Sequence, residues 1–121
     1  MSRLLVVDDD IQMLSALGEA LRRKGHIVET ASNGIDAASK LENAAVQAVI
    51  TDLRMPGMNG LELQRCLSQN GNHIPIIFLS AHASEADERS ALRAGAVQFL
   101  RKPISKEALL SAIREALREP S

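Results

Sequence analysis

LLVVDDDIQ, residues 4–12, sets four apolar residues directly against three aspartates. No polar residue interrupts the apolar run, as one would in a strand with one face in water. It therefore reads as a β-strand buried on both faces. Three neighbouring carboxylates at its end repel one another and raise one another's pKa unless something compensates them. Asp10 precedes a helical pattern and reads as its N-cap, which leaves Asp8 and Asp9 to be explained.

Similar short runs recur as IVET (27–30), AVIT (48–51), IIFLS (76–80) and VQFL (97–100). Longer amphipathic stretches separate them. Residues 10–24 place Ile11, Leu14, Leu17 and Leu21 at helical spacing, and Gly25 follows as a stop. Helices are likewise predicted over 33–42 (Ile35, Ala38, Leu41), 60–69 (Leu61, Leu63, Cys66, Leu67), 85–94 before Gly95, and 106–118 (Leu109, Leu110, Ile113, Leu117). Asn59 with Glu62, and more loosely Ser84 with Asp87, read as capping boxes; Ser105 reads as a further N-cap. Five strand–helix units with doubly buried strands make an α/β fold, a parallel sheet covered by helices on each side.

The 121 residues suit one domain, 1–121, without repeats or linkers. Aromatics are only Phe78 and Phe99, so the core has to be aliphatic. A net charge of -1 offers no basic face for nucleic acid. The lone Cys66 excludes an internal disulfide framework, fits a cytoplasmic protein, and sits on an apolar helical face where packing is its expected role. No apolar run is long enough for a membrane span, and no signal peptide opens the chain. Met13, Met55 and Met58 read as packing or loop residues, and His26, His73 and His82 show no metal-ligand spacing.

Open parallel sheets place ligands at the carboxyl ends of their strands. Those ends here carry Asp8 and Asp9, then Asp52, then Ser80, then Lys102 followed by Pro103. A carboxylate cluster of this kind suits a hard divalent cation such as Mg²⁺. Metal, ammonium and hydroxyl together are what a transferring phosphoryl group requires. The carboxylate central to them would be a nucleophile forming an aspartyl phosphate, and Asp52 holds that place if the strand order is 2-1-3-4-5.

The set VVDDD (6–10), TDLRMPGMNGLEL (51–63), FLSA (78–81) and AGAVQFLRKP (94–103) resembles the receiver domain of bacterial two-component response regulators, over essentially the whole chain. The resemblance implies a flavodoxin-like (βα)5 sandwich with strand order 2-1-3-4-5. It implies that Asp52 accepts phosphate from a sensor histidine kinase or phosphotransfer protein. Asp9 and Asp52 would bind Mg²⁺ (Mn²⁺ a substitute), Asp8 would act through water, and the Arg54 backbone carbonyl would complete the shell. Ser80 and Lys102 would contact the phosphoryl group, Phe99 would be the aromatic switch, and the Lys102–Pro103 bond would be cis. Phe99 also suits plain core packing. Arg54 and His82, two residues past Asp52 and Ser80, would tune phosphoryl lifetime. Ser at 80 and Phe at 99 are mild departures from the commonest pattern.

The resemblance further implies a signalling module rather than an enzyme, with only self-catalysed phosphotransfer and slow autodephosphorylation. It is cytoplasmic, without direct nucleic-acid or membrane binding. The wording is most like receivers that precede a DNA-binding output domain; a stand-alone regulator is the alternative. Phosphorylation-dependent dimers through helices 1 and 5, or through helix 4, strand 5 and helix 5, are expected possibilities. A Mg²⁺-dependent phosphohydrolase would carry a second aspartate two residues after its nucleophile, where Arg54 stands. A nucleotide or flavin module would need a G-x-G-x-x-G or Walker motif, and neither occurs.

Overall fold

The computed structural model describes residues 2–43, 45–55, 59–69, 74–81 and 83–117. In chain order the elements are β1 (Arg3–Val7), α1 (Ile11–Arg23), β2 (Ile27–Ala31), α2 (Gly34–Asn43), β3 (Ala48–Asp52), α3 (Gly60–Gln69), β4 (Ile76–Ser80), α4 (Glu85–Arg93), β5 (Gln98–Arg101) and α5 (Lys106–Leu117). The strands pair in parallel in the order β2-β1-β3-β4-β5.

Alternation along the strands divides the core in two. Leu5, Val7, Val49, Ile76 and Phe78 face α2, α3 and α4, where they meet Ala37, Leu41, Leu63, Leu67 and Ala91. Leu4, Val6, Ala48, Ile50, Ile77 and Leu79 face the other way, onto Leu14 and Leu21 of α1 and Leu109, Ala112 and Ile113 of α5. Both alternating sets of a strand are thus buried, which is why "LLVV" is apolar throughout. Each buried Leu, Ile or Val contributes about 1.5–3 kcal/mol relative to exposure.

The helix ends follow local chemistry. Asp10 accepts from the Gln12 and Met13 amides, and Ser84 and Asp87 form a reciprocal capping box. Asn59 and Glu62 do the same ahead of α3, and Ser105 Oγ accepts from the Ala108 amide ahead of α5. Gly25 and Gly95 close α1 and α4 with φ of +94° and +106°, a backbone conformation that a side chain disfavours. Most boundaries shift by one residue from the periodicity, and two of the shifts have a visible cause. Asn33 lies outside α2 and caps it, accepting from the Asp36 amide at 2.7 Å. β5 runs over 98–101 rather than 97–100: the Val97 amide bonds to the Ile76 carbonyl, and the strand ladder begins one residue later. Met55 packs in the core, Met13 is half-buried, and Met58 and His73 lie outside the described residues.

Candidate functional site

The carboxyl ends of β1, β3, β4 and β5 bring the predicted residues to one edge of the sheet. Asp8 is the first residue beyond β1. Its amide donates to the Ala31 carbonyl at 3.1 Å, which continues the parallel pairing with β2 and fixes the backbone. Although it is a carboxylate, Asp8 is only 1% exposed. Its oxygens are both engaged: Oδ1 accepts from the Asp10 amide at 2.9 Å and Oδ2 from Lys102 Nζ at 2.9 Å. Asp9, the next residue, is exposed.

Asp52 is the last residue of β3. Its Oδ2 accepts from Lys102 Nζ at 3.3 Å and its Oδ1 from the Arg54 amide at 3.4 Å. Burial pushes the Asp52 carboxyl above its ordinary pKa and the charge of Asp8 adds to that, while the Lys102 ammonium pulls only partly back. Burial draws Lys102 downward, yet its hydrogen bond to Asp8 and the charges of both aspartates outweigh this and hold the ammonium above its usual value. One lysine thus bridges two carboxylates that would otherwise repel across a dry edge.

The Leu53 amide donates to the Leu79 carbonyl and the Gly60 amide to the Leu53 carbonyl, so α3 starts against the end of β3. A Cβ on Gly60 would stand 2.7 Å from the Asp52 carbonyl oxygen and 2.7 Å from the Phe78 ring, so only glycine fits there. Gly60 therefore lets α3 seat against the carboxyl end of β3.

Ser80 ends β4 and is 1% exposed; its carbonyl accepts from the Lys102 amide at 2.9 Å, so the serine and the lysine are held side by side. Lys102 reaches the acids from beyond β5, and the Lys102–Pro103 bond is cis. Phe99 pairs in register with Phe78 and is half-buried, with ring centroids 6.1 Å apart. Arg54 points away from the acids, its exposed guanidinium 3.1 Å from Asp87 at the start of α4. His82 lies outside the described residues. Cys66 is half-buried on α3, away from this edge.

Asp8, Asp9 and Asp52 each offer an oxygen within 4.8 Å of the others. Opposite ligands of an octahedral Mg²⁺ stand about 4.2 Å apart, so a small inward movement of these oxygens would accommodate the ion, and the all-oxygen donor set suits it. Two pairings at this edge have no counterpart in the local sequence pattern. Arg101, on β5, donates to the Ala83 carbonyl and to Glu88, each at 2.8 Å. Asp87, readable as a cap, also pairs with Arg54 from 33 residues away. Such pairings depend on the folded path of the chain and leave no trace in spacing.

Comparison with known proteins gives a consistent result. The family model described as the response regulator receiver domain matches residues 4–114. The response regulator protein TodT of Pseudomonas putida is 41% identical over 117 residues, which is 97% of this chain and 52% of that protein. The transcriptional regulatory protein GlrR of Escherichia coli K12 is 39% identical over 98% of this chain and 27% of its own length. The chain thus spans about half the length of TodT and about a quarter of GlrR. Among solved structures, the Vibrio cholerae chemotaxis protein CheY4 superposes with a TM-score of 0.89 at 30% identity, covering 97% of this chain and 99% of that one.

Proposed function

The chain belongs to the response regulator receiver domain family of two-component systems, and we propose that it is a phosphorylation switch whose acceptor is Asp52. The observation that carries this reading is the placement of Asp52: buried, 3.3 Å from the Lys102 ammonium, and clustered with Asp8 and Asp9. A poorly solvated carboxylate is more basic, and hence a better nucleophile, than one in water.

In the reaction, an Asp52 oxygen attacks the phosphorus of a phosphohistidine on a sensor histidine kinase or phosphotransfer protein. The P–O bond forms as the P–N bond breaks, and the imidazole, which already carries a proton on its other ring nitrogen, leaves as the neutral ring. Lys102 is positioned to neutralise a phosphoryl oxygen, and the Ser80 hydroxyl to donate to another. Asp9, Asp52 and the Arg54 carbonyl would hold Mg²⁺, or Mn²⁺ in its place, with Asp8 acting through water; both Asp8 oxygens already accept protein hydrogen bonds. When bound, the ion supplies further positive charge for the phosphoryl oxygens.

A phosphoryl group adds charge and three strong acceptor oxygens to Asp52. Movement of Ser80 toward it draws the segment between β4 and α4, and Phe99 turns inward. The α4–β5–α5 surface then changes shape, a two-state element biased by local charge. By the family resemblance Arg54 and His82, two residues past Asp52 and Ser80 in sequence, would set how readily water removes the group. The output is a DNA-binding domain in a longer cytoplasmic regulator; the similarity to GlrR, a transcriptional regulatory protein, supports that reading. Phosphorylation-dependent dimers through that surface or through α1 and α5 would appear in sizing experiments with beryllofluoride.

The deciding experiment is intact-mass measurement after incubation with Mg²⁺ and acetyl phosphate. One phosphoryl adduct is expected on the parent and none on Asp52→Asn. No adduct on the parent, with steady phosphate release from many esters, would show a phosphohydrolase instead.

A further inference from the structure

The first turn of α4 is held from two sides by arginines that belong to neither α4 nor its loop. On the side of β3, Arg54 Nη2 reaches Asp87 Oδ2 at 3.1 Å. That oxygen also accepts from the Ser84 amide at 3.2 Å, so one atom serves both the helix cap and the ion pair. On the side of β5, Arg101 donates through Nη1 to the Ala83 carbonyl and through Nη2 to Glu88, while its guanidinium carbon lies 5.6 Å above the Phe99 ring. Ala83 is in the segment that joins Ser80 to α4 and is 8% exposed. Among the described residues the helix buries only Ala91, whose carbonyl accepts from Gln64 Nε2 at 3.2 Å near the far end of the helix.

Arg54 has two possible anionic partners. Its own amide donates to Asp52 Oδ1 at 3.4 Å, so its side chain starts beside the acceptor and ends on Asp87. Resting on the proposed role of Asp52, we propose that Arg54 is exchanged between Asp87 and the phosphoryl group, which makes Asp87 a positioning residue for phosphoryl binding. A phosphoryl group carries close to two negative charges and three acceptor oxygens, whereas Asp87 offers one charge and an oxygen already shared with Ser84. The guanidinium therefore moves to the phosphoryl group when it arrives, and α4 loses one of its two cationic tethers. Linkage makes the effect reciprocal: weakening the Arg54–Asp87 pair favours loading, and loading loosens the first turn of α4. Arg101 remains as the second tether, which ties the same turn to Phe99.

The test is titration of the intact chain with beryllofluoride in Mg²⁺, comparing parent, Asp87→Asn, Arg54→Gln and the double variant. Asp87→Asn keeps an acceptor for the Ser84 amide and drops the charge. It is expected to tighten beryllofluoride binding by about 3–5-fold, the scale of an exposed ion pair. Arg54→Gln is expected to weaken binding, and adding Asp87→Asn to it to change nothing more. An equal gain from Asp87→Asn with and without Arg54 would overturn the exchange, because Asp87 would then act through the helix cap alone. Hydrogen exchange supplies a second reading. Amides of residues 85–93 are expected to exchange faster in the parent once beryllofluoride is bound, and unchanged exchange there counts against the release of α4. A parent that binds no beryllofluoride sinks the phosphoacceptor reading itself; a parent that binds it with all variants alike sinks only the exchange.

Discussion

β4 and β5 are hydrogen-bonded neighbours with opposite characters. All five residues of β4, IIFLS, are buried, whereas QFLR in β5 is half-buried and ends on an exposed arginine. The helices beside them repeat the contrast: α5 buries Leu109, Ala112, Ile113 and Ala116, and α4 buries Ala91. The acids and Ser80 therefore stand on the firm part of the sheet, and Phe99, Arg101 and the start of α4 on the soft part. A switch needs both, since local opening is drawn from regions with little buried apolar contact. Charge placed on a firm base can be felt as a change only where a neighbouring element is free to move.

The two phenylalanines offer the largest test of that contrast, because they sit opposite each other in register. Phe78 is 0% exposed and Phe99 is half-buried. Phe78→Ala is expected to cost about 3–5 kcal/mol by urea denaturation and Phe99→Ala roughly 1–2 kcal/mol. Equal losses would show that β5 is as firmly packed as β4.

A smaller effect probes the firm side beside Asp52. Gly60→Ala drives a Cβ to 2.7 Å from the Asp52 carbonyl and the Phe78 ring. Neither obstacle is a flexible side-chain end, so about 1–3 kcal/mol of stability is expected to be lost in denaturant melts. Phosphorylation from acetyl phosphate is expected to slow as the end of β3 shifts. A neutral substitution would mean that α3 can slide, and the firm base would be less firm than its burial suggests.

The same contrast governs what could be read from the chain in advance. Strands buried on both faces announce themselves as unbroken apolar runs, and acids directly after them mark the carboxyl edge; LLVV with Asp8 and Asp9, and AVIT with Asp52, were legible for that reason. The soft side was less so. β5 reads VQFL by hydrophobicity, yet its ladder starts at Gln98 because a half-buried edge strand gives a weak pattern. The cap formed by Asp87 is legible beside Ser84, but its pairing with Arg54 and the contacts of Arg101 are not, since those partners come from distant residues and depend on how the chain folds. Asn33 was read as the start of a helix that it instead caps, a one-residue error of the kind that helix ends invite.

The finest comparison is between two aspartates, one on each side. Burial, with the charge of Asp8, raises the pKa of Asp52. The hydrogen bond from the Ser84 amide, with help from Arg54, lowers that of Asp87. Their contributions to stability therefore have opposite signs. In metal-free buffer near neutral pH the folded state bears the full cost of an ionised, poorly solvated Asp52. That cost disappears as pH falls through the raised folded pKa, because the folded chain then holds a proton the unfolded chain does not. Asp87 stabilises the fold at every pH above its ordinary value, and the benefit is lost as pH falls through its lowered folded pKa. Asp52→Asn is thus expected to melt above the parent near neutral pH and Asp87→Asn below it. Both differences should narrow toward acid, that of Asp52→Asn first, because its transition lies at the higher pH. Thermal melts in EDTA across that range read this directly. If Asp52→Asn melted below the parent at neutral pH, the Lys102 bridge would outweigh the burial of the carboxylate, and the proposed acceptor edge would rest on a satisfied ion pair rather than on charge held at a cost.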